Sequence, residues 1–270
     1  MDLSIIVTHY NTPELLDVCL NSIKRTTSNM EKEIIIVDSE SKEETRELIK
    51  EKHPAVMVIP FEKNVGYSKI VNAGIKKAKG DYILILNADI IVLEDSVSKM
   101  LKYMRSHSKT GIVGPRLIDF TGNVQPSCFS FPSLGTILAR RTFFGRTKTG
   151  KKLLEKFTNE EPDIYTPKEV DWLQGSAMMI RKKAIKKVGL WDERFFAYFE
   201  DTDFCRRFWQ NGYKVVYLPL ARMAHYYHRS SKKWGGLLDL FLNKYTRIHL
   251  ISALKYFWKY RHQSNSNYVT

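Results

Sequence analysis

Cysteine is scarce in this chain. Its 270 residues include three, Cys19, Cys128 and Cys205, far apart and with no CxxC pair. Neither a zinc site nor a disulfide framework follows from that spacing, and a reducing compartment is expected. Long apolar runs are missing as well. No stretch reaches the roughly 18 apolar residues that a spanning helix needs. The first apolar run, Leu3 to Val7, is too short for the core of a signal peptide. The expectation is a chain kept on the cytoplasmic side. Glycine-rich phosphate cradles are also missing: no GxGxxG follows that first run and no GxxxxGKS/T occurs. A dinucleotide oxidoreductase and a P-loop NTPase lose their main phosphate contacts. Side chains and a metal must then hold the phosphates of any bound nucleotide. Finally, acids are few: 29 Asp and Glu face 43 Lys and Arg, a net charge of +14. Such an excess predicts attraction to nucleic acid, an anionic membrane surface or phosphorylated substrates.

What is present is an alternation. Apolar, β-branched runs at residues 3–7, 33–37, 56–59 and 82–86 read as buried parallel strands. Between them lie helical patterns: one opened by Pro13 and Glu14, one running to about Lys52, one from about Lys69 to Ala78. That order predicts a doubly wound sheet with helices on both faces. Ligands of such sheets bind outside the carboxyl ends of the strands. The polar clusters Thr8–Asn11, Asp38, Asn64–Tyr67 and Asn87–Asp89 fall at or near such ends. Asp89 fits a metal ligand or a turn cap equally well.

Residues 111–170 read differently. After a strand at Gly111–Ile118 the chain looks irregular, with Pro126, Pro132, Gly135, Gly145 and Gly150. Arg140, Arg141, Arg146, Lys148, Lys151 and Lys152 form a basic cluster there, either a solvated loop or a contact for an anionic acceptor or membrane. Order returns at Trp172-Leu173-Gln174-Gly175-Ser176. Gly175 allows close backbone approach to a ligand.

Three carboxylates, Glu200, Asp201 and Asp203, follow the aromatic run Phe195-Phe196-Ala197-Tyr198-Phe199. Carboxylates beside apolar surface have raised proton affinity, which suits a general base. Acidic residues in the first turn of a helix also fit. His225 and His228 lie in an aromatic setting further on. From Gly235 to His262 a helical stripe of Leu238, Phe241, Leu242, Tyr245, Ile248, Ile251, Leu254 and Trp258 is punctuated by Lys244, Arg247, Lys255, Lys259 and Arg261. It fits a membrane-surface helix, or a helix packed on its own domain or on a dimer partner.

Taken in order, Ser4–Asn11, Ile36-Val37-Asp38, Asn64–Tyr67, Asn72–Ile75, Gly80–Asp89, Trp172–Ala177, Gly189–Asp203, Gly212-Tyr213 and Ala224-His225 resemble a family-2 glycosyltransferase of the rhamnosyltransferase-like kind, over about residues 1–230. The resemblance implies a GT-A fold, the Rossmann-like fold of nucleotide-diphospho-sugar transferases, with a mixed, mainly parallel sheet and C-terminal amphipathic helices. Residues 1–110 would be the nucleotide-sugar-binding half, 111–230 the acceptor half, and 231–270 a basic helical tail.

By the same resemblance, Asp201 is the catalytic base, and Asp89 with His225 holds a divalent metal, Mn2+ or Mg2+. Thr8, Tyr10, Asn11, Asp38, Asn64, Gly66, Asn72, Asn87 and Ala88 line the donor site. Trp172, Gln174, Gly175, Phe196, Tyr198 and Glu200 form the acceptor side, and Asp203 stays with the helix cap. Departures are Ser39 where Asn is frequent, Asn87 at the first position of the DxD motif, and His228 where Gly is common.

The expected reaction is inverting transfer from dTDP-rhamnose or a UDP-sugar to a saccharide acceptor, lipid-linked, at the inner face of the cell membrane. It would serve cell-surface polysaccharide synthesis. Other expected partners are an anionic membrane surface or a second copy bound through the C-terminal helices. The alternatives are a nucleic-acid-binding protein, which the resemblance does not favour, and a sugar-nucleotide-binding module without catalysis.

Overall fold

Parallel strands require crossovers, and the first half of the chain supplies a helix after each apolar run. The computed structural model describes residues 1–159, 165–226 and 243–263. It contains β1 (Leu3–His9), α1 (Pro13–Thr26), β2 (Lys32–Ser39), α2 (Glu43–Lys52), β3 (Met57–Phe61), α3 (Tyr67–Lys77) and β4 (Tyr82–Asn87) in that order. All four strands run parallel, with β1 between β2 and β4, and β3 at the edge. Pro60 is tolerated there because an edge strand has one side without a ladder partner. The third helix begins at Tyr67, earlier than the expected Lys69, because Gly66 at φ 91° turns the chain directly into it.

Next come β5 (Ile90–Val92), α4 (Ser96–Ser106), β6 (Thr110–Ile118), β7 (Val124–Gln125) and β8 (Cys128–Phe129). The expected irregular basic loop is then corrected. It holds α5 (Leu134–Arg141), a 3-10 turn (Phe143–Arg146) and α6 (Lys148–Thr158). Ser133 and Thr136 form a reciprocal capping box at the start of α5. Thr147 caps α6 by accepting from the Gly150 N–H at 3.1 Å. These caps satisfy first-turn donors and offset the glycines nearby.

The chain is completed by β9 (Lys168–Glu169), β10 (Trp172–Leu173), β11 (Ala177–Arg181), α7 (Lys182–Val188), α8 (Glu200–Gln210), β12 (Lys214–His225) and α9 (Lys244–Lys259). The sheet order is β3-β2-β1-β4-β11-β6-β12-β5, with β11 antiparallel to both its neighbours. The sheet is therefore mixed and mainly parallel, and both its faces are covered. Ile5 and Val7 of β1 join α1 and α4 in one core layer. Ile6 between them joins α3 and α8 in the other. This period of two is why the strands read as continuous apolar runs.

The last helix packs on its own domain, but not through the expected stripe. Ala253, Tyr256 and, just past its end, Tyr260 are buried against Phe195 and Phe199. Ile251, Leu254 and Trp258 instead face outward, 51%, 71% and 70% exposed. The tyrosines go inward because each hydroxyl finds a buried partner. Tyr256 accepts from Arg206 at 3.1 Å, and Tyr260 donates to Asp203 at 2.8 Å. Leu238, Phe241 and Leu242 of that stripe, with His228, lie outside the described residues.

Candidate active site

Strand register assembles the site. Thr8 of β1 pairs with Asn87 of β4, so the first polar cluster lies against the Asn87-Ala88-Asp89 segment. Thr8 Oγ1 donates to Asn87 Oδ1 at 3.0 Å. On the far side, β12 runs antiparallel to β5, with His225 opposite Ile90. The Tyr226 N–H donates to the Asp89 carbonyl at 2.9 Å. The last residue of β12 is thus delivered beside Asp89, and His225 Nε2 lies 3.6 Å from Asp89 Oδ2.

Asp89 Oδ1 is buried and has no hydrogen-bond partner among the described residues. An orphaned buried carboxylate oxygen is costly unless something cationic or protic meets it. Among the described residues no group of three or more His, Cys, Asp and Glu side chains converges. Asp89 and His225 therefore offer one hard oxygen and one imidazole nitrogen, and a cation held there takes its remaining ligands from elsewhere.

Gln125, unmarked in the sequence, holds this histidine at two points. Its Nε2 donates to the His225 carbonyl at 3.1 Å, and its Oε1 lies 2.9 Å from His225 Nδ1. A carbonyl can only accept, which fixes the amide orientation. Oε1 then requires Nδ1 to carry a ring proton, so that in the neutral imidazole the lone pair sits on Nε2, the nitrogen facing Asp89.

The acidic motif opens α8. Tyr198 and Phe199 precede it, both at φ 68°. Two successive non-glycine residues in the left-handed region are strained by about 1–2 kcal/mol each. Burial of Phe199 beside Phe195 in the aromatic cluster holds the turn. The chain therefore enters the helix abruptly, with Glu200 and Asp201 in its first turn, where the dipole favours negative charge. Asp201 Oδ2 accepts from the Gly175 N–H at 3.0 Å, and Oδ1 accepts from the Thr202 N–H at 2.7 Å.

Burial pushes the Asp201 carboxyl up, and these hydrogen bonds restrain the rise. Burial raises Glu200 much further, helped by the neighbouring Asp201 charge. The N–H donors favour the charged form at Asp201, whereas the buried Oε2 of Glu200 has no donor among the described residues. Asp203 faces away from both. It is fully buried and takes Arg207, Lys259 and Tyr260 at 2.9, 2.5 and 2.8 Å, which locks α9 onto α8.

Tyr67, quoted in the motif but given no role from sequence, joins the two halves. Its hydroxyl lies 3.0 Å from Asn87 Oδ1 and 2.7 Å from the Gly175 carbonyl. A chain of contacts runs from the Asp89 segment through Tyr67 to Gly175 and on to Asp201.

Other residues of the expected donor and acceptor sets fall in three places. Tyr10 is 43% exposed at the cleft rim. Beside it, Asn11 takes φ 50°, and Ala88 is buried. Asn64 accepts from the Gly66 N–H at 3.0 Å, and a Cβ on Gly66 would come within 2.7 Å of the Phe196 carbonyl. Phe196 is 37% exposed, and Tyr198 packs on His249. Trp172 stacks on Phe129 at 4.4 Å, and the Gln174 N–H donates to the Ser127 carbonyl at 2.9 Å.

Asp38 and Asn72 are not presented to the cleft. Asp38 is fully buried, its oxygens engaged by His9, Ser41 and Arg46 at 2.7, 2.5 and 2.9 Å. Burial pushes its carboxyl up, but those hydrogen bonds outweigh it and the net shift is downward. Asn72 is also buried, and its amide binds the backbone of Trp191 at both N–H and carbonyl. Both residues hold site-bearing segments in place.

An aspartate–histidine pair, Asp89 and His225, thus lies at the strand ends on one side, and a helix-borne acid pair, Glu200 and Asp201, on the other. Comparison with known proteins identifies the class. The profile of Glycosyl transferase family 2 matches residues 4–189, and that of Glycosyl transferase family group 2 matches residues 157–267. The chain belongs to glycosyl transferase family 2.

It is 28% identical over 211 residues to an N-acetylglucosaminyl-diphospho-decaprenol L-rhamnosyltransferase of Mycobacterium tuberculosis, covering 72% of this chain and 66% of that one. It is 30% identical over 195 residues to the rhamnosyltransferase WbbL of Escherichia coli, covering 72% and 67%. The chain thus spans about two thirds of the length of these relatives. Among solved structures, GalNAc-T7 with UDP, GalNAc and Mn2+ superposes with a TM-score of 0.66 at 19% identity, covering 84% of this chain and 43% of that one. The Pyrobaculum calidifontis mannosyltransferase PcManGT with GDP-Man and Mn2+ gives 0.60 at 16% identity, covering 97% and 70%. These neighbours show the GT-A fold.

Proposed function

We propose that the protein transfers a sugar, with inversion, from a nucleotide-sugar donor to a saccharide acceptor. The observation that carries this reading is the setting of Asp201, a carboxyl held by the Gly175 and Thr202 N–H groups beside Glu200, whose proton affinity burial raises. Asp201 takes the proton from the acceptor hydroxyl as that oxygen attacks the anomeric carbon. One base and one displacement invert the centre, and no carboxylate nucleophile is needed. Glu200, carrying a proton, orients the acceptor by hydrogen bonding.

Asp89 and His225 fit a divalent cation, Mn2+ or Mg2+, and Gln125 keeps the histidine in the ligating tautomer. Held by these two residues, a cation would supply positive charge for the diphosphate of the leaving nucleotide. Thr8 and Tyr67 position Asn87, which presents the Ala88-Asp89 backbone to the donor. Tyr10, Asn11, Asn64 and Gly66 form the rim at the nucleotide end. Phe196, Tyr198, Trp172, Gln174 and Gly175 shape the acceptor side.

The names of the relatives favour rhamnose as the sugar and a diphospholipid-linked saccharide as the acceptor, within cell-surface polysaccharide synthesis. dTDP-rhamnose is the first donor to test, with UDP-sugars next. Residues 1–110 serve as the donor half, 111–230 as the acceptor half, and the C-terminal segment as an accessory. None of the described helices is long and apolar enough to cross a membrane. Peripheral attachment at the inner face of the cell membrane belongs to the same reading.

A thermal-shift screen of nucleotide sugars with and without Mn2+ tests the reading. The expected result is a Tm rise for one nucleotide class that depends on the metal. No rise for any nucleotide sugar contradicts it.

A further inference from the structure

The fold brings together two basic segments that are far apart in sequence. Ile137 of α5 packs on the same aromatic cluster as Ala253 and Tyr256 of α9. Each helix then turns apolar side chains outward. On α5 these are Leu134 and Leu138, 69% and 54% exposed, followed by Phe143 at 79%. On α9 they are Ile251, Leu254 and Trp258, spaced as one stripe along the helix. Six exposed apolar side chains on these neighbouring helices and the turn between α5 and α6 call for an apolar phase.

The charge around them chooses that phase. Residues 134–154 contain six Lys and Arg and no acid, and residues 243–263 contain five and no acid. Arg146 and Arg261 lie over the rings of Phe143 and Trp258. Lys255 and Lys259 turn instead to the Arg194 carbonyl and to Asp192 and Asp203. Exposed apolar side chains in acid-free basic segments, with guanidinium groups on the aromatic ones, suit the interface of an anionic bilayer. A second copy of the chain seated on this face would bring together two surfaces of the same positive sign, which disfavours it.

We propose that α5, the 3-10 turn after it and α9 form one docking face for an anionic lipid bilayer. The proposal deepens the reading of a membrane-associated glycosyltransferase and rests on it for its purpose. The face lies behind the aromatic wall of the site. Ser252 of α9 donates to the Ala197 carbonyl at 2.8 Å, within the run that leads to Glu200 and Asp201. Docking through it brings the acceptor side of the cleft close to the lipid surface from which a lipid-linked saccharide projects.

The test is vesicle flotation of the full chain, which involves no transfer reaction. The vesicles are phosphatidylcholine alone, or phosphatidylcholine with phosphatidylglycerol. The wild type should float with the anionic vesicles and stay behind with the neutral ones, and high salt should weaken its binding. L254E/W258E and, separately, L134E/L138E should each lower vesicle binding at least about tenfold. Their melting temperature and nucleotide-induced Tm shift should stay those of the wild type. A wild type that does not bind anionic vesicles overturns the proposal, as do variants that bind equally well. So does a concentration-dependent dimer in light scattering that both variants abolish, because the face is then a self-interface. Vesicle binding without any nucleotide-sugar response would leave the docking face standing and remove the glycosyltransferase reading instead.

Discussion

Gly175 and Asp201 are joined by one hydrogen bond, from the Gly175 N–H to Asp201 Oδ2 at 3.0 Å. A Cβ on Gly175 would sit 3.3 Å from the Cβ of Asp201 and 3.3 Å from the Trp191 ring. The backbone therefore comes up against the carboxylate where a side chain would press on it. A base must be charged yet reactive. Burial raises the proton affinity of Asp201, and hydrogen bonds from N–H groups restrain the rise. Gly175 is also the residue whose carbonyl Tyr67 contacts, so the position of Asp201 is tied to Tyr67 and, through it, to Asn87.

Tyr67→Phe tests that tie. The substitution removes the hydroxyl between Asn87 and Gly175 and leaves the ring packed edge-on against Trp191. One lost hydrogen bond is worth about 1 kcal/mol, roughly fivefold in rate if it acts on the transition state. kcat should fall by about that factor while donor KM changes little. An unchanged kcat would mean that the two halves are held together without Tyr67.

Gln125→Leu separates metal binding from the reaction. Without the amide, the His225 ring loses both its tautomer and its orientation, a change that typically weakens metal affinity by about 10- to 100-fold. Titration of Mn2+ by electron paramagnetic resonance, in the presence of nucleoside diphosphate, should show this loss. Equal Mn2+ affinity in variant and wild type would show that Gln125 does not set the histidine.

Glu200 governs a stability change with pH whose sign can be worked out. Its folded pKa lies above the unfolded value, so folding favours the protonated form. The stability it contributes is fully present below the unfolded carboxylate pKa and is lost as pH rises through the folded one. Glu200→Gln keeps the shape and removes the ionisation. The variant should therefore melt higher than the wild type at alkaline pH, with the gap closing towards pH 4, a range set by the ordinary glutamate value of about 4.3. A gap that widens on acidification would mean that Glu200 is stabilised as a carboxylate.

The first half of the fold could be read from sequence because each buried strand is a continuous apolar run and each crossover helix carries its own spacing. Ile5, Ile6 and Val7 are apolar because both faces of β1 are covered. The site clusters were legible for a related reason: Thr8, Asn87 and Asp89 sit at strand ends, where polar residues stand out. The basic segment was misread as irregular because its signals are short caps, Ser133 with Thr136 and Thr147 with Gly150, set among glycines.

The outward stripe of α9 could not be foreseen, since a helix with apolar residues on two faces has two possible seats. Tyr256 and Tyr260 choose between them through Arg206 and Asp203, which are distant in sequence. Gln125 carried no signal, because its role exists only once β7 lies beside the end of β12. Asp38 and Asn72 look like ligand residues for the same reason that they are good internal anchors: each is polar, short and placed at a junction.

The central claim is that Asp201 is the base. Asp201→Asn preserves shape and hydrogen-bond acceptance from Gly175 at the amide oxygen, but it cannot take a proton. The direct measurement is sugar transfer by this variant, with donor binding followed in parallel. Transfer should fall by about 100-fold or more while donor affinity stays within about twofold, that is within roughly 0.4 kcal/mol. Turnover close to that of the wild type, with donor binding intact, would contradict it.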